Sequence, residues 1–260
     1  MLIPTTEVEI LDTAYVTMPW GAIFNYGHFL LDCLPSVPIL QAPKEAANYP
    51  FLLPELKPWQ RRHFRLCNVE NLLETSSDVV YLSNLFYTSC IDHFLHTPNV
   101  NISDLRNQQM TNYKNNTENN SKIYITRRHN DKRLFKNEES LLKCLRHMNF
   151  TVLDPSEYSV DDQISIFSHA RIIIGCTGAA FANIIYCQPK TVIFEIQPST
   201  LLGVWVRNIC AILNLSWRPF FTNADGNLDP PIVGGVPRPE IGASFMVNVE
   251  TIVAFIAEYS

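Results

Sequence analysis

Residues 170–196 read ARIIIGCTGAAFANIIYCQPKTVIFEI, and this stretch limits the fold more than any other. Ile172, Ile173 and Ile174 predict a strand buried on both faces. Gly175 to Gly178 predict a turn, Ala179 to Tyr186 a short helix, and Thr191 to Ile196 a second buried strand. That is one βαβ unit. Small residues at a strand-to-helix turn let a ligand approach the backbone, and the first helical turn offers unpaired N–H groups to an anion such as phosphate. Glu195 lies 20 residues after Gly175, where a dinucleotide fold carries the acid that accepts from a ribose diol. GCTG is not GxGxxG, however, and small residues also serve plain helix–sheet packing. Both readings stand on this segment alone.

A chain of 260 residues can form one large domain or two smaller ones, each with a core. The net charge of -5 gives no support for general nucleic-acid binding. Arg127, Arg128, Lys132 and Arg133 form the only dense basic cluster, which suits a local anion. No apolar run approaches the roughly 20 residues that span a bilayer, and the first residues lack a basic start, so a cytoplasmic protein without a transmembrane segment is expected. Without a secretory signal, the sequons at Asn101, Asn115 and Asn214 carry no weight. Seven scattered cysteines without a CxxC pair predict reduced core thiols. Asp92, His93 and His96 have no further ligand nearby in sequence, so no metal site is expected there.

Strands are predicted at Val8–Val16, Phe51–Leu53, Val79–Leu82 and Leu85–Tyr87, with a helix at Trp59–Cys67. Asn25 to Leu40 starts as a helix that Pro35 and Pro38 bend or end. In it His28 and Asp32 share a face at i, i+4, either as a core histidine oriented by a carboxylate or as an acid/base pair. Residues 106–122 are polar and Asn-rich, which predicts a linker or mobile loop. The domains are therefore placed at 1–110 and 122–260, with a linker at 111–121.

Beyond the linker a strand at Lys122–Thr126 leads to a helix at Asn137–Asn149, a strand at Thr151–Leu153 and a helix capped by Ser159 with Asp162. A helix at Leu201–Leu213, a strand at Trp217–Phe221, a Pro/Gly-rich excursion at Asn223–Ala243 and a helix at 249–259 capped by Asn248 complete the pattern. The last helix is assigned to the second domain, with docking back on the first as the alternative. Strands alternating with helices predict two Rossmann-like α/β domains with mainly parallel sheets around a cleft. Arg127 directly follows its strand, so its guanidinium is expected at the ligand-binding edge.

Asn25 to Pro35 (NYGHFLLDCLP), the strand IYITRR with Asn137 and Glu138 beyond it, and IGCTGAAFAN followed by VIFEI resemble glycosyltransferase family 61, in order over nearly the whole chain. Its bacterial members are often labelled capsular polysaccharide biosynthesis proteins. The resemblance implies a GT-B fold, inverting transfer from a nucleotide sugar, usually a UDP-sugar, and a donor site mainly in the C-terminal domain. The acceptor would be a glycan or polysaccharide. On this resemblance His28, or else Asp32, is the expected base. Arg127, Arg133 and the N–H groups near Gly178 and Ala179 would hold the diphosphate, and Glu195 the ribose. Thr177 and Asn183 would join the donor site, and Asn25, Tyr26, Asn137 and Glu138 the substrate contacts. Thr177 replaces a His and Ala180 a Gly of the family's usual HGAGL turn. A Thr hydroxyl can still donate to a phosphate. The chain has no DxD motif, so metal independence is expected, with no cofactor beyond the donor co-substrate.

Two rival functions share these features. The turn with Glu195 would also suit an NAD-dependent oxidoreductase, which leaves Arg127 and the segment Asn25–Pro35 without a role. A non-catalytic carbohydrate- or nucleotide-binding scaffold would retain the nucleotide site without transfer.

Overall fold

The structure, a computed structural model, describes residues 9–43, 49–88, 101–113, 121–128, 133–225, 232–233, 236–237 and 243–259. The chain divides into two compact units, Met1–Lys114 and Asn115–Ser260.

The first unit holds four parallel strands, β1 (Glu9–Tyr15), β2 (Phe51–Pro54), β3 (Leu72–Thr75) and β4 (Val80–Phe86), in the order β3-β2-β1-β4. The two strands expected between Val79 and Tyr87 are one. Ser83 and Asn84, which lie between the two expected segments, are on exposed strand surface, and Asn84 Nδ2 donates to Thr13 Oγ1 of β1 at 3.3 Å. β3 was not anticipated; its four residues are only half-buried and carry little apolar pattern.

Residues 106–112 are not a linker. They belong to a helix, Ile102–Asn112, whose Ile102, Leu105 and Gln109 are buried. Its amides bind carbonyls at the end of the helix Pro58–Leu66: Gln108 Nε2 donates to Cys67 O at 2.8 Å and Asn112 Nδ2 to Leu66 O at 2.9 Å. Polar side chains thus satisfy the last carbonyls of another helix, which would otherwise require water. Residues 114–120 of the expected linker lie outside the described residues.

The second unit has five parallel strands, β5 (Ser121–Ile125), β6 (Thr151–Leu153), β7 (Ala170–Cys176), β8 (Val192–Pro198) and β9 (Ser216–Thr222), ordered β6-β5-β7-β8-β9. Helices Glu138–His147, Val160–Ser168 and Trp205–Ile212 connect them. Ser159 Oγ accepts from Asp162 N–H at 3.2 Å and Asn248 Oδ1 from Thr251 N–H at 3.0 Å, as the capping patterns predict. Ile172, Ile174, Phe194 and Ile196 share one core with Leu141, Leu142 and Leu145. Ile252 and Ile256 of the closing helix Val249–Ala257 lie in that same core, and Phe194 meets Phe255 edge-on at 5.4 Å. Ile252 and Ile256 of this helix are therefore packed within the second unit.

The segment Ala179–Tyr186 is a 3₁₀ helix rather than an α-helix. Gly175 makes its close packing feasible, because a Cβ there would lie 3.1 Å from both Ile125 Cβ and Phe181 Cε2. Among the described residues no helix is long and apolar enough to cross a membrane. Among the described residues the six cysteines form no disulfide. Burial pushes the thiols of Cys67 and Cys210 up to about 12.

Candidate functional site

In the second unit the chain leaves β5 toward β6 on one side and leaves the neighbouring β7 toward β8 on the other. Where strand order reverses in this way, connections diverge at the carboxyl ends and leave a crevice. Ile125 and Gly175 pair in register at those ends, two residues before Arg127 and three before Gly178. A Cβ on Gly178 would lie 3.0 Å from Arg127 Nη1 and 3.5 Å from Arg133 Nη2. Two guanidinium groups thus converge on one glycine at the switch point of the sheet. Arg133 adopts φ 58°, a left-handed conformation uncommon for a residue with a side chain. Both charges are felt nearby: burial pushes the Cys176 thiol up to about 12, against the pull of Arg127 and, more weakly, Arg133.

A single carboxylate oxygen fixes where Arg127 leaves the sheet. Glu138 Oε1 accepts from Tyr124 Oη at 2.8 Å, from Thr126 Oγ1 at 3.0 Å and from Arg127 N–H at 2.8 Å. Glu138 opens its helix, where the dipole favours a negative charge, and it is buried. Its Oε1 thereby positions the backbone of the arginine. Asn137 is committed as well. Its Nδ2 donates to Val247 O at 2.8 Å and its Oδ1 accepts from Val247 N–H at 3.1 Å.

Three expected donor contacts point inward. Thr177 is 2 % exposed, and its hydroxyl lies on the Glu195 side, where it lowers that acid's pKa. Asn183 is fully buried and donates to Gln163 Oε1 at 2.9 Å. Glu195 is 0 % exposed, with Trp217 Nε1 donating to its Oε2 at 2.8 Å. Its Oε1 has no hydrogen bond of full geometry, although Thr177 and Gln197 are close enough to favour the charged form. Glu195, expected at the ribose, thus has no exposed surface in this structure. The 3₁₀ helix that follows Thr177 and carries Asn183 lies against the helices Val160–Ser168 and Trp205–Ile212. Gly178 and Ala179 remain at the turn, ahead of the first 3₁₀ bond from Phe181 N–H to Gly178 O at 2.9 Å.

The first unit carries the other cluster. After β1 the chain forms short helices at Trp20–Phe24 and Tyr26–His28, then a π-helical turn at Phe29–Cys33. His28 Nδ1 and Asp32 Oδ2 are 2.6 Å apart, with the carboxylate buried and the imidazole 26 % exposed. A carboxylate on Nδ1 keeps the proton there and leaves Nε2 as the basic nitrogen. Asn25 Oδ1 caps the histidine's helix, accepting from Gly27 N–H at 2.8 Å and His28 N–H at 3.2 Å. Tyr26 packs its ring against Trp59 and His63. The π turn is tied to the exit of β1: Thr17 Oγ1 donates to Cys33 O at 2.8 Å, and Ser36 Oγ lies against both Cys33 O and Thr17 Oγ1. Sequence reasoning missed these partners, as it missed Tyr124 and Trp217. The one available signal was a tyrosine inside the aliphatic strand β5.

Among the described residues no group of three or more His, Cys, Asp or Glu could hold a metal. Asp92, His93 and His96 lie outside the described residues. A family model described as Glycosyltransferase 61 matches residues 26–194, more than half of the chain. No curated protein matches it.

Glu138→Ala leaves one buried and two part-buried donors without their acceptor and should cost about 2–3 kcal/mol in urea unfolding. An undiminished stability would refute the anchoring role. Glu195 gives a pH signature. Burial raises its carboxyl above the ordinary 4.5, against the pull of Trp217, Thr177 and Gln197. The folded chain therefore holds this proton more tightly than the unfolded one. That contribution is fully present below 4.5 and is lost as pH rises through the raised value. Thermal unfolding of Glu195→Gln across this range should show a variant more stable than wild type at neutral pH, with the gap closing on acidification. A pH-independent gap would contradict the assignment.

Proposed function

The chain belongs to glycosyltransferase family 61, and from that premise we propose an inverting transfer of a sugar from a nucleotide sugar, a UDP-sugar, to a glycan or polysaccharide acceptor. The observation that carries the reading is the convergence of Arg127 and Arg133 on Gly178. A departing nucleoside diphosphate needs positive charge and oriented N–H donors, and planar guanidinium forks match phosphate oxygens in pairs. The N–H groups at Gly178 and Ala179 supplement them. The GT-B arrangement implied by the resemblance belongs to the same proposal.

In this reaction the acceptor oxygen forms a bond to the anomeric carbon from the side opposite the diphosphate. The bond from that carbon to the phosphate oxygen breaks, and its electron pair leaves with UDP. His28 Nε2 takes the acceptor's proton, and Asp32 on Nδ1 stabilises the resulting imidazolium. Arg127 and Arg133 stabilise the charge accumulating on UDP. Since the sequence has no DxD motif, the arginines are proposed to replace a divalent ion in that task.

Calorimetry with UDP, GDP and NAD⁺ tests the anion site. UDP should bind selectively, and Arg127→Ala should weaken it roughly 10- to 100-fold, the effect of one or two charge-assisted hydrogen bonds. Gly178→Ala should also weaken UDP with little change in thermal midpoint. Its backbone, at φ 164°, is extended and open to any residue, while the added methyl would crowd Arg127 Nη1 at 3.0 Å and fill space beside Arg133 Nη2. Preference for NAD⁺ would favour the oxidoreductase, and UDP binding without turnover the scaffold. Turnover should survive EDTA. Loss restored by Mn²⁺ would overturn metal independence.

A further inference from the structure

We infer that Trp20 and Phe24 form a stacking platform for a sugar ring of the acceptor, beside His28; the inference rests on the transferase reading above and adds the acceptor side to it. Trp20 is 75 % and Phe24 66 % exposed, whereas nearby Tyr26 and Phe29 pack onto Trp59 and His63 of the helix Pro58–Leu66. The segment thus had an aromatic cluster to join, and these two rings stay outside it. They meet edge-on, centroids 5.9 Å apart, on one short helix at i, i+4 spacing.

That helix is held firmly from its other side. Ala22 is fully buried, and Gln60 Nε2 donates to Ala22 O at 3.2 Å. Asn25 N–H closes the helix onto Gly21 O at 3.1 Å. Gly21, next to Trp20, lies directly against the imidazole: a Cβ there would be 3.4 Å from both Cγ and Cδ2 of His28. The exposed aromatic pair and the proposed base therefore belong to one rigid corner.

The chemistry of the occupant follows from the size and character of the patch. Two ring faces expose at most about 400 Å², well below the roughly 800 Å² per partner of a stable protein interface. A second copy of the chain would need more surface than this pair provides. A pyranose fits, because it presents C–H groups on a face and hydroxyls around its rim. The apolar face covers the aromatic ring while the hydroxyls stay hydrated, and one of them is directed to His28 Nε2.

The test uses Trp20→Ala/Phe24→Ala and Trp20→Phe, with UDP calorimetry and binding to a printed array of hexose, pentose and hexosamine oligosaccharides. The expected result is unchanged UDP affinity and thermal midpoint in both variants. Retention on the oligosaccharides that wild type recognises should fall about tenfold or more in the double alanine variant and recover partly in Trp20→Phe. Equal retention by wild type and double variant overturns the platform. Wild type that binds UDP but no oligosaccharide overturns it while sparing the donor reading. Wild type that binds neither UDP nor any oligosaccharide overturns both.

Discussion

The buried oxygen Glu138 Oε1 takes a hydrogen bond from a strand tyrosine, a strand-end threonine and the backbone of Arg127. A carboxylate in such a place is tolerable because three donors meet its Oε1, and removing any of them leaves the anion less well compensated for its lost hydration. The benefit is geometric. The chain must leave β5 in one direction, so the first arginine of the basic cluster arrives at the sheet's switch point with its backbone already fixed. A flexible cation at that position would lose entropy on meeting a phosphate; this one has lost much of it during folding.

The same economy of means appears in the first unit, where the fixed group is a histidine. Asn25 caps its helix, Asp32 holds one ring nitrogen, and Gly21 packs against the ring carbons. Thr17 and Ser36 then gather on the carbonyl of Cys33, at the end of the π turn. Pro35, which has no N–H to give, coincides with the change of hydrogen-bond pattern there. Imidazole chemistry depends on which nitrogen holds the proton, and here neighbouring residues in sequence decide that before any substrate arrives.

Much of this was legible in the sequence, and the limits have physical causes. The βαβ unit could be read from three consecutive isoleucines and two glycines, because burial on both faces removes the alternation that other strands show. His28 with Asp32 was legible since i, i+4 spacing is a property of the helix itself. The helix Ile102–Asn112 was misjudged because amides look like solvated groups until a partner carbonyl is known, and those carbonyls lie about 40 residues earlier. Thr177, Asn183 and Glu195 had the right chemistry for a nucleotide, yet direction decides their use. A strand or 3₁₀ residue faces inward or outward according to what roofs it, and that depends on contacts of long sequence separation.

The closing helix has a bearing on how the protein is made. Phe194 and Ile196 of β8 and the Leu141, Leu142 and Leu145 face share their core with Ile252 and Ile256. Until residues 249–257 have left the ribosome, that apolar surface has no cover. The first unit, whose described elements end by Asn112, has no such wait. Synthesis thus passes through a stage in which one unit is ready to fold and the other holds an uncovered apolar face, the species that chaperones engage.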